Sequence, residues 1–202
     1  VDDWNDDEVL ENLYSLSDSP VLLGELMDLL QYNYDRIDFI DSPVDVGFDC
    51  PLDLDCTYTR DQILVALDFM KPSTVREGVK WLPEKQADVF FVTLNKSNKD
   101  YSPTTMYNDY SINSELFHWQ SQSTTAENSP TGQRYIHHHE KGTKVLLFVR
   151  EFKSDRIGNV AAAYTYLGTA TYVKHTGSRP MSITWILDHP IPAKYLKKTN
   201  KL

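Results

Sequence analysis

The second half of the chain consists largely of short runs of β-branched and aromatic residues, and this pattern restricts the fold more than any other feature. Six runs occur within about a hundred residues, and each is bounded by Gly, Pro, Asn or Ser. They cover residues 88–94, 114–120, 144–150, 164–167, 170–173 and 181–187. Short strands at this spacing predict a compact barrel or a curved sheet.

The first part of the chain predicts helices instead. Apolar residues recur at helical spacing over residues 6–40, and we expect two short helices there with a break near Asp18. Residues 41–55 have the composition of a loop. Thr59 is expected to cap a third helix that ends near Phe69.

Charge is divided unevenly between these two parts. Residues 1–80 carry 5 Lys and Arg against 19 Asp and Glu, a net charge of −14, whereas residues 81–202 carry 15 against 10, a net charge of +5. Only the second part offers a positive surface to phosphates. The acidic part is either a solvated surface or a segment that docks on a basic neighbour. We divide the chain into an acidic helical lead-in region, 1–75, and a β-rich DNA-recognition domain, 76–202.

Several classes of function are disfavoured by what the sequence lacks. It contains no P-loop, no GxGxxG motif, no GxSxG elbow and no HEXXH helix. Its two cysteines, Cys50 and Cys56, cannot complete a four-thiolate zinc site, and no apolar run reaches the roughly 18 residues of a membrane span. We therefore expect a soluble, cytoplasmic chain without a cofactor. Because it opens without Met in a helical pattern, we expect it to be part of a larger protein.

Three consecutive histidines, His137, His138 and His139, raise the question of a metal site. On a strand only His137 and His139 would share a face, so a third ligand would have to come from elsewhere. Nothing in the sequence fixes such a ligand. We expect the end of a surface strand here, and no metal.

The strongest functional pattern lies in the basic part and combines aromatic, amide and guanidinium groups. Strand alternation places His118 and Gln120 on one face, opposite Phe117 and Trp119, and adds Gln122 to that face if the strand extends so far. Amides bind base edges, aromatic rings stack on bases and arginines bind phosphates. The predicted DNA-binding residues are Tyr107, His118, Trp119, Gln120, Gln122, Arg134, Tyr135, Arg150 and Arg179. Alternatively, the aromatic rings form the core and the glutamines are exposed strand residues.

Glu151 and Lys153 form a second pattern, which resembles the E-x-K element of metal-dependent nucleases. On a strand both side chains would lie on one face. Such a tripeptide is common by chance, and its ordinary interpretation is a cross-strand surface pair.

Several longer segments are specific enough to suggest a family. They are WLPEK at 81–85, DVFFVTLNKS at 88–97, DYSPTTMY at 100–107, LFHWQSQ at 116–122, TGQRY at 131–135, LLFVRE at 146–151 and SRPMSITW at 178–185. In this order, over residues 52–195, the chain resembles a bacterial C-terminal domain of formerly unknown function. That domain is found in restriction-type DEAD/DEAH-box helicases that carry an N-terminal phospholipase-D-like nuclease domain.

The resemblance implies a place in a restriction or anti-phage helicase-nuclease, with the upstream helicase and nuclease domains as partners. The C-terminal module of such enzymes commonly recognises the target, and PUA-like or SRA-like β-barrels read modified DNA in related systems. We therefore expect an α+β fold, in which a β-barrel-like (PUA/SRA-like) domain of about six strands is preceded by a small helical region.

The predicted function is recognition of modified double-stranded DNA, without catalysis by this chain itself. Phosphate contacts would come from Arg134, Arg150 and Arg179. The pocket that reads the base would use the side chains of His118, Gln120 and Gln122 and the ring of Trp119 or Tyr135. One alternative is a protein-docking or regulatory module of the same helicase, which the charge asymmetry suggests. A further alternative is a metal-dependent nuclease that uses Glu151 and Lys153.

Overall fold

The computed structural model describes residues 6–35, 43–95, 109–154, 160–193 and 195–196. Within these ranges the helices are α1 (Asp6–Ser15), α2 (Pro20–Tyr34), α3 (Arg60–Ala66) and α4 (Pro130–Ile136). The strands are β1 (Thr57–Tyr58), β2 (Val79–Leu82), β3 (Ala87–Thr93), β4 (Tyr110–Ser111), β5 (Leu116–Gln120), β6 (Lys144–Arg150), β7 (Tyr164–Thr176) and β8 (Ser182–Leu187). The fold is therefore of the α+β class, as expected. None of the described helices is long and apolar enough to cross a membrane.

The helices of the first part begin and break where the sequence predicts. A short 3₁₀ segment, Leu16–Asp18, separates α1 from α2. Thr59 caps α3 through a capping box, in which its hydroxyl accepts the Gln62 main-chain N–H while the Gln62 side chain accepts the N–H of Thr59. The helix ends at Ala66, earlier than expected.

The described strands form one mixed sheet in the order β2-β3-β6-β7-β8-β5-β4, and β1 pairs with the start of β7. β3 and β6 are parallel, while the other neighbouring strands are antiparallel. The two runs predicted at 164–167 and 170–173 belong to a single strand, β7. Gly168, with φ of +86°, lies where the register between β6 and β7 shifts, so the glycine bends the strand instead of ending it.

This sheet has a hydrophobic core on each face. In β3, Val89 and Phe91 face the side of α3, whereas Phe90 and Val92 face the inner side of the curved sheet. The ring of Phe90 stacks on that of Trp119 with 4.1 Å between centroids, although three strands separate β3 from β5 in the sheet order. The sheet therefore curls over its own core. The ladder of described strands ends at β2 and β4, so it is an open, curled sheet and a closed barrel is not observed.

Residues on both sides of the predicted domain boundary between 75 and 76 belong to the same hydrophobic core, which lies on the α3 side of the sheet. Ile63 and Leu64 of α3 are fully buried and belong to the same cluster as Phe91 and Phe148. In contrast, no described residue before Val44 belongs to either core.

The structure also contains a helix that the sequence analysis did not anticipate. Residues 130–136 form α4, which Ser129 caps by accepting the main-chain N–H of Gly132. Gly132 is buried, and a Cβ atom there would lie 2.2 Å from the carbonyl oxygen of Ala126. The glycine is thus required by close backbone approach rather than by flexibility. His137, His138 and His139 follow this helix, so the prediction that they lie on a strand is wrong.

Candidate nucleic-acid interface

A cavity of about 900 Å³ opens where several strands of the curled sheet end. The last residues of β3, β5 and β6 contribute Thr93, Gln120 and Arg150, and the first residue of β7 contributes Tyr164. The start of α3 and the segment 72–79 complete the wall. Because these elements come from both halves of the chain, neither half could form the cavity by itself.

Four of the predicted DNA-binding residues line this cavity: Trp119, Gln120, Gln122 and Arg150. The burial of β5 alternates as predicted, with Phe117 and Trp119 in the core. Gln120 is held by its main-chain N–H, which donates to Asp109, and by its side-chain amide, which donates to the Ser182 hydroxyl over 3.1 Å. Only 4% of Trp119 is exposed. Its ring stacks on Phe90, so the prediction that it stacks freely on a base needs correction: Trp119 is a core residue at the cavity wall.

Arg150 is fixed in the wall by groups that carry no charge. Its Nε–H donates to the Thr93 hydroxyl over 2.9 Å, and Nη1 donates to the carbonyl of Ala162 over 3.1 Å. The guanidinium carbon lies 4.4 Å from the centre of the Tyr164 ring. This arrangement orients a cation toward the cavity without neutralising it.

Arg60 is a cavity residue that the sequence analysis missed. Its Nη1 donates to the carbonyl of Val75 over 3.0 Å, and Nη2 donates to the Tyr164 hydroxyl over 3.3 Å. The guanidinium also lies 5.1 Å from the ring centre of Phe91. Sequence offered no signal for this role, because an arginine that follows a helix cap is usually an exposed helix residue.

The described part of the cavity wall contains five further charged residues. Arg76 and Lys153 add positive charge, whereas Asp61, Glu77 and Asp109 add negative charge. Asp61 and Glu77 are exposed, and Asp109 is buried. The half-buried cations Arg60 and Arg150 therefore form the most defined charged part of the wall.

Arg134, predicted to contact phosphate, is paired inside the protein. Its Nε and Nη2 donate to the two carboxylate oxygens of Asp88 over 2.7 and 2.9 Å, and its guanidinium stacks 4.1 Å from the ring centre of Trp81. Asp88 is only 1% exposed. Burial raises the pKa of Asp88, and the hydrogen-bonded guanidinium opposes that rise. The phosphate role predicted for Arg134 is therefore corrected: its donors neutralise a buried carboxylate.

Tyr135 is likewise a core residue. It is 1% exposed and meets the ring of Phe90 edge to face at 5.5 Å. Burial raises the pKa of its phenol. Its ring offers no free face to a base, so the expected stacking role is wrong for this residue.

Of the remaining predicted residues, the two that the structure describes do not join the cavity. His118 stacks on Tyr110 with 4.8 Å between ring centroids, and it is not part of the cavity wall. Arg179 is exposed and lies outside the cavity. Tyr107 lies outside the described residues.

His138 has a structural role. Its Nδ1 lies 3.2 Å from the Thr143 carbonyl, to which it donates, while Nε2 accepts the main-chain N–H of Tyr172 over 2.9 Å. Burial lowers its pKa, and the neutral ring satisfies both contacts. Over the described ranges, no three His, Cys, Asp or Glu side chains are grouped as metal ligands.

Glu151 and Lys153, the residues of the nuclease-like pattern, do not lie on a strand as expected. β6 ends at Arg150, so Glu151 and Lys153 lie beyond the strand and the expected strand alternation does not apply to them. Lys153 lines the cavity and Glu151 does not.

Comparison with known proteins identifies the family. The family model described as Domain of unknown function (DUF3427) matches residues 52–198. The chain therefore belongs to this family, and the match agrees with the range over which the resemblance was expected. A search of curated proteins found no match.

Proposed function

We propose that this chain is a DNA-binding module that reads a modified nucleotide and has no catalytic activity of its own. The observation that carries the proposal is the cavity, because it brings Gln120, Gln122 and Arg150 together beside Trp119. Amide groups that discriminate base edges and a guanidinium that binds phosphate thus lie on one concave surface.

The size of the cavity supports a ligand larger than a lone ion. Binding cavities for small molecules measure roughly 300–1,000 Å³, and this one measures about 900 Å³. A base in a duplex reaches such a site only when its nucleotide is extruded from the stack. We therefore propose that the cavity receives one extruded nucleotide of double-stranded DNA.

The wider biological role rests on analogy. We propose that the curled sheet is a variant of the PUA/SRA-like barrels that read modified DNA, and that the chain is the C-terminal module of a bacterial restriction or anti-phage helicase-nuclease. The order of the shared sequence segments and the α+β fold support this proposal. Its partners would be modified DNA and the upstream helicase and nuclease domains.

Fluorescence anisotropy tests the function directly. The chain is titrated, at fixed moderate salt, against matched duplexes that are plain, base-methylated, hydroxymethylated or phosphorothioated, with single-stranded DNA alongside. We expect one modified duplex to bind at least about tenfold more tightly than the plain duplex. Equal affinity for all duplexes would contradict recognition of a modification, and absence of binding would contradict the function as a whole.

A matched pair of variants tests the site. Gln120 and Gln133 are both half-buried, and both donate a side-chain hydrogen bond, Gln120 to the Ser182 hydroxyl and Gln133 to the Glu127 carbonyl. Only Gln120 lines the cavity. We expect Gln120→Ala to reduce the preference for the modified duplex and Gln133→Ala to leave it unchanged. Equal effects of both substitutions would contradict the assignment of the cavity.

One observation favours the second candidate function, a protein-docking module. The described side chains of α2 are all exposed, including those of Val21 at 77% and Met27 at 57%. Apolar surface of this kind marks interaction sites. If docking were the main function, a variant with Val21 and Met27 replaced by Ser would lose binding to the upstream helicase domains while retaining DNA affinity.

A further inference from the structure

Two arginines of the cavity meet at the same tyrosine. Arg60 donates to the Tyr164 hydroxyl, while the guanidinium of Arg150 stacks on the Tyr164 ring. Tyr164 is buried, and both arginines are half-buried. One rigid aromatic residue therefore positions both cations relative to each other.

The hydrogen bonds that hold these guanidiniums lead only to neutral acceptors, the carbonyls of Val75 and Ala162 and the hydroxyls of Thr93 and Tyr164. Across the part of the chain that the structure describes, neither Arg60 nor Arg150 forms an ion pair with a carboxylate. The Nε of Arg60 is buried there without a hydrogen-bond partner. Partly desolvated cations without a counter-ion are costly, so a bound anion would stabilise this arrangement.

The geometry leaves donors available for such an anion. Each terminal nitrogen of a guanidinium carries two N–H groups, and the hydrogen bonds of Arg60 occupy one on each of its two terminal nitrogens. Arg150 uses Nε and one N–H of Nη1, which leaves Nη2. Both guanidiniums contact Tyr164, and guanidinium N–H groups match the oxygens of a phosphate group.

We infer that the cavity binds the phosphate group of a nucleotide between Arg60 and Arg150, so that its ligand class is a nucleoside phosphate rather than a bare base. This inference rests on the proposed function and extends it from base recognition to capture of the nucleotide by its phosphate. Asp109 accepts the main-chain N–H of Gln120, and among the described residues it forms no ion pair with either guanidinium. Asp61 and Glu77 are exposed, and solvent screens their charge.

Nuclear magnetic resonance titration of the full chain tests this inference. The four 2′-deoxynucleoside 5′-monophosphates, the four matching nucleosides and inorganic phosphate are added in parallel, and the arginine Nε–H and tryptophan indole N–H signals are followed. We expect nucleotides to bind at least about tenfold more tightly than nucleosides, because a hydrogen bond to a charged group is lost without the phosphate. Inorganic phosphate should shift the arginine signals and leave the indole signal of Trp119 unchanged.

Arg60→Lys and Arg150→Lys keep the charge but remove the planar fork. We expect each to reduce the nucleotide preference severalfold, whereas Lys174→Gln, which removes an exposed charge outside the cavity, should not change it. Thermal unfolding of each variant checks that the chain remains folded, and the contrast between nucleotide and nucleoside in the unsubstituted chain requires no variant.

The outcomes separate this inference from the proposed function. If modified duplex binds but nucleotides and nucleosides bind equally, the phosphate site is wrong and DNA recognition stands. If Lys174→Gln weakens nucleotide binding as much as the two cavity variants do, the phosphate is bound elsewhere. If neither duplex nor nucleotide binds, both proposals fail.

Discussion

Two regions of the molecule show opposite uses of the same side chain. On α4, Arg134 forms a bidentate ion pair with buried Asp88 and stacks on Trp81. At the cavity, Arg150 is held by a hydroxyl and a carbonyl and forms no ion pair with a described carboxylate. Both arginines were predicted to bind phosphate, and both are half-buried.

The difference shows that the partner of an arginine, rather than its position in a basic sequence, determines its role. A guanidinium that neutralises a buried carboxylate has little capacity left for a ligand, and it acts on stability. A guanidinium that is held only by neutral groups retains its charge for a ligand. The two regions therefore predict opposite mutational phenotypes.

The largest effect is expected at the ion pair. Arg134→Ala leaves Asp88 buried without a partner, and breaking a buried pair costs about 3–5 kcal/mol of unfolding free energy. Chemical denaturation measures this loss. The folded fraction of the variant should bind DNA as before. A loss of DNA affinity with unchanged stability would show that Arg134 acts in DNA binding, and it would contradict this account.

The loss of stability in the Arg134→Ala variant should depend on pH. Removal of the Arg134 guanidinium removes the effect that opposes the raised pKa of Asp88, so this pKa rises further. For a carboxyl with a raised pKa, stability is present below its unfolded pKa of about 3.9 and is lost as pH rises through the folded pKa. The stability deficit should therefore be smaller at acidic pH than at neutral pH, and a deficit independent of pH would contradict this account.

At the cavity the expected effect is on binding. Arg150→Ala should weaken DNA binding by about tenfold and reduce the slope of log affinity against log salt by about one, because one phosphate contact is lost. Anisotropy titrations over a range of salt concentrations measure both quantities. Lys174→Ala removes an exposed charge outside the cavity and is the control. Equal loss in both variants would indicate nonspecific attraction.

A smaller effect is expected at His138. Since burial lowers its pKa, its contribution to stability is present above the unfolded pKa of about 6.5 and is lost as pH falls through the folded pKa. Unfolding free energy should fall on acidification by at most about 1.4 kcal/mol per pH unit from this group. His138→Gln should flatten the dependence, while substitution of exposed His139 by Gln should preserve it.

The smallest effect is expected from removal of the first helices. No described residue of α1 or α2 belongs to either core, so deletion of residues 1–35 should leave the stability of the sheet and its DNA affinity nearly unchanged. Thermal unfolding and anisotropy measure the two quantities. Loss of DNA binding on deletion would show that the acidic helices are part of the interface.

Much of the fold was predictable because its signals are local. The runs at 88–94 and 144–150 match β3 and β6 within one residue, and the cap at Thr59 is present. α4 was missed, although Ser129 followed by Pro130 is a typical helix start, with a capping serine and a proline in the first turn. The curvature of the sheet was not predictable, because it depends on contacts between distant strands.

The site was predictable only in part. Alternation placed Gln120 correctly relative to the core, whereas Gln122 lies beyond the end of β5 and lines the cavity from the segment that follows. Burial of Trp119 and Tyr135 depends on β3, which is distant in sequence, and the pairing of Arg134 depends on Asp88, 46 positions away along the chain. Arg60 belongs to the site because it contacts Phe91 of β3 and Tyr164 of β7, which are both distant in sequence. Side chains whose roles are set by such long-range contacts give no local signal.

Photocrosslinking tests the central claim that DNA enters the cavity. A duplex with one photoreactive thymine analogue beside the modified base is bound, irradiated and digested, and crosslinked peptides are identified by mass spectrometry. The account predicts crosslinks to peptides that contain Trp119–Gln122 or Tyr164. Crosslinks confined to α4 and the histidines at 137–139, or to α2, would contradict it.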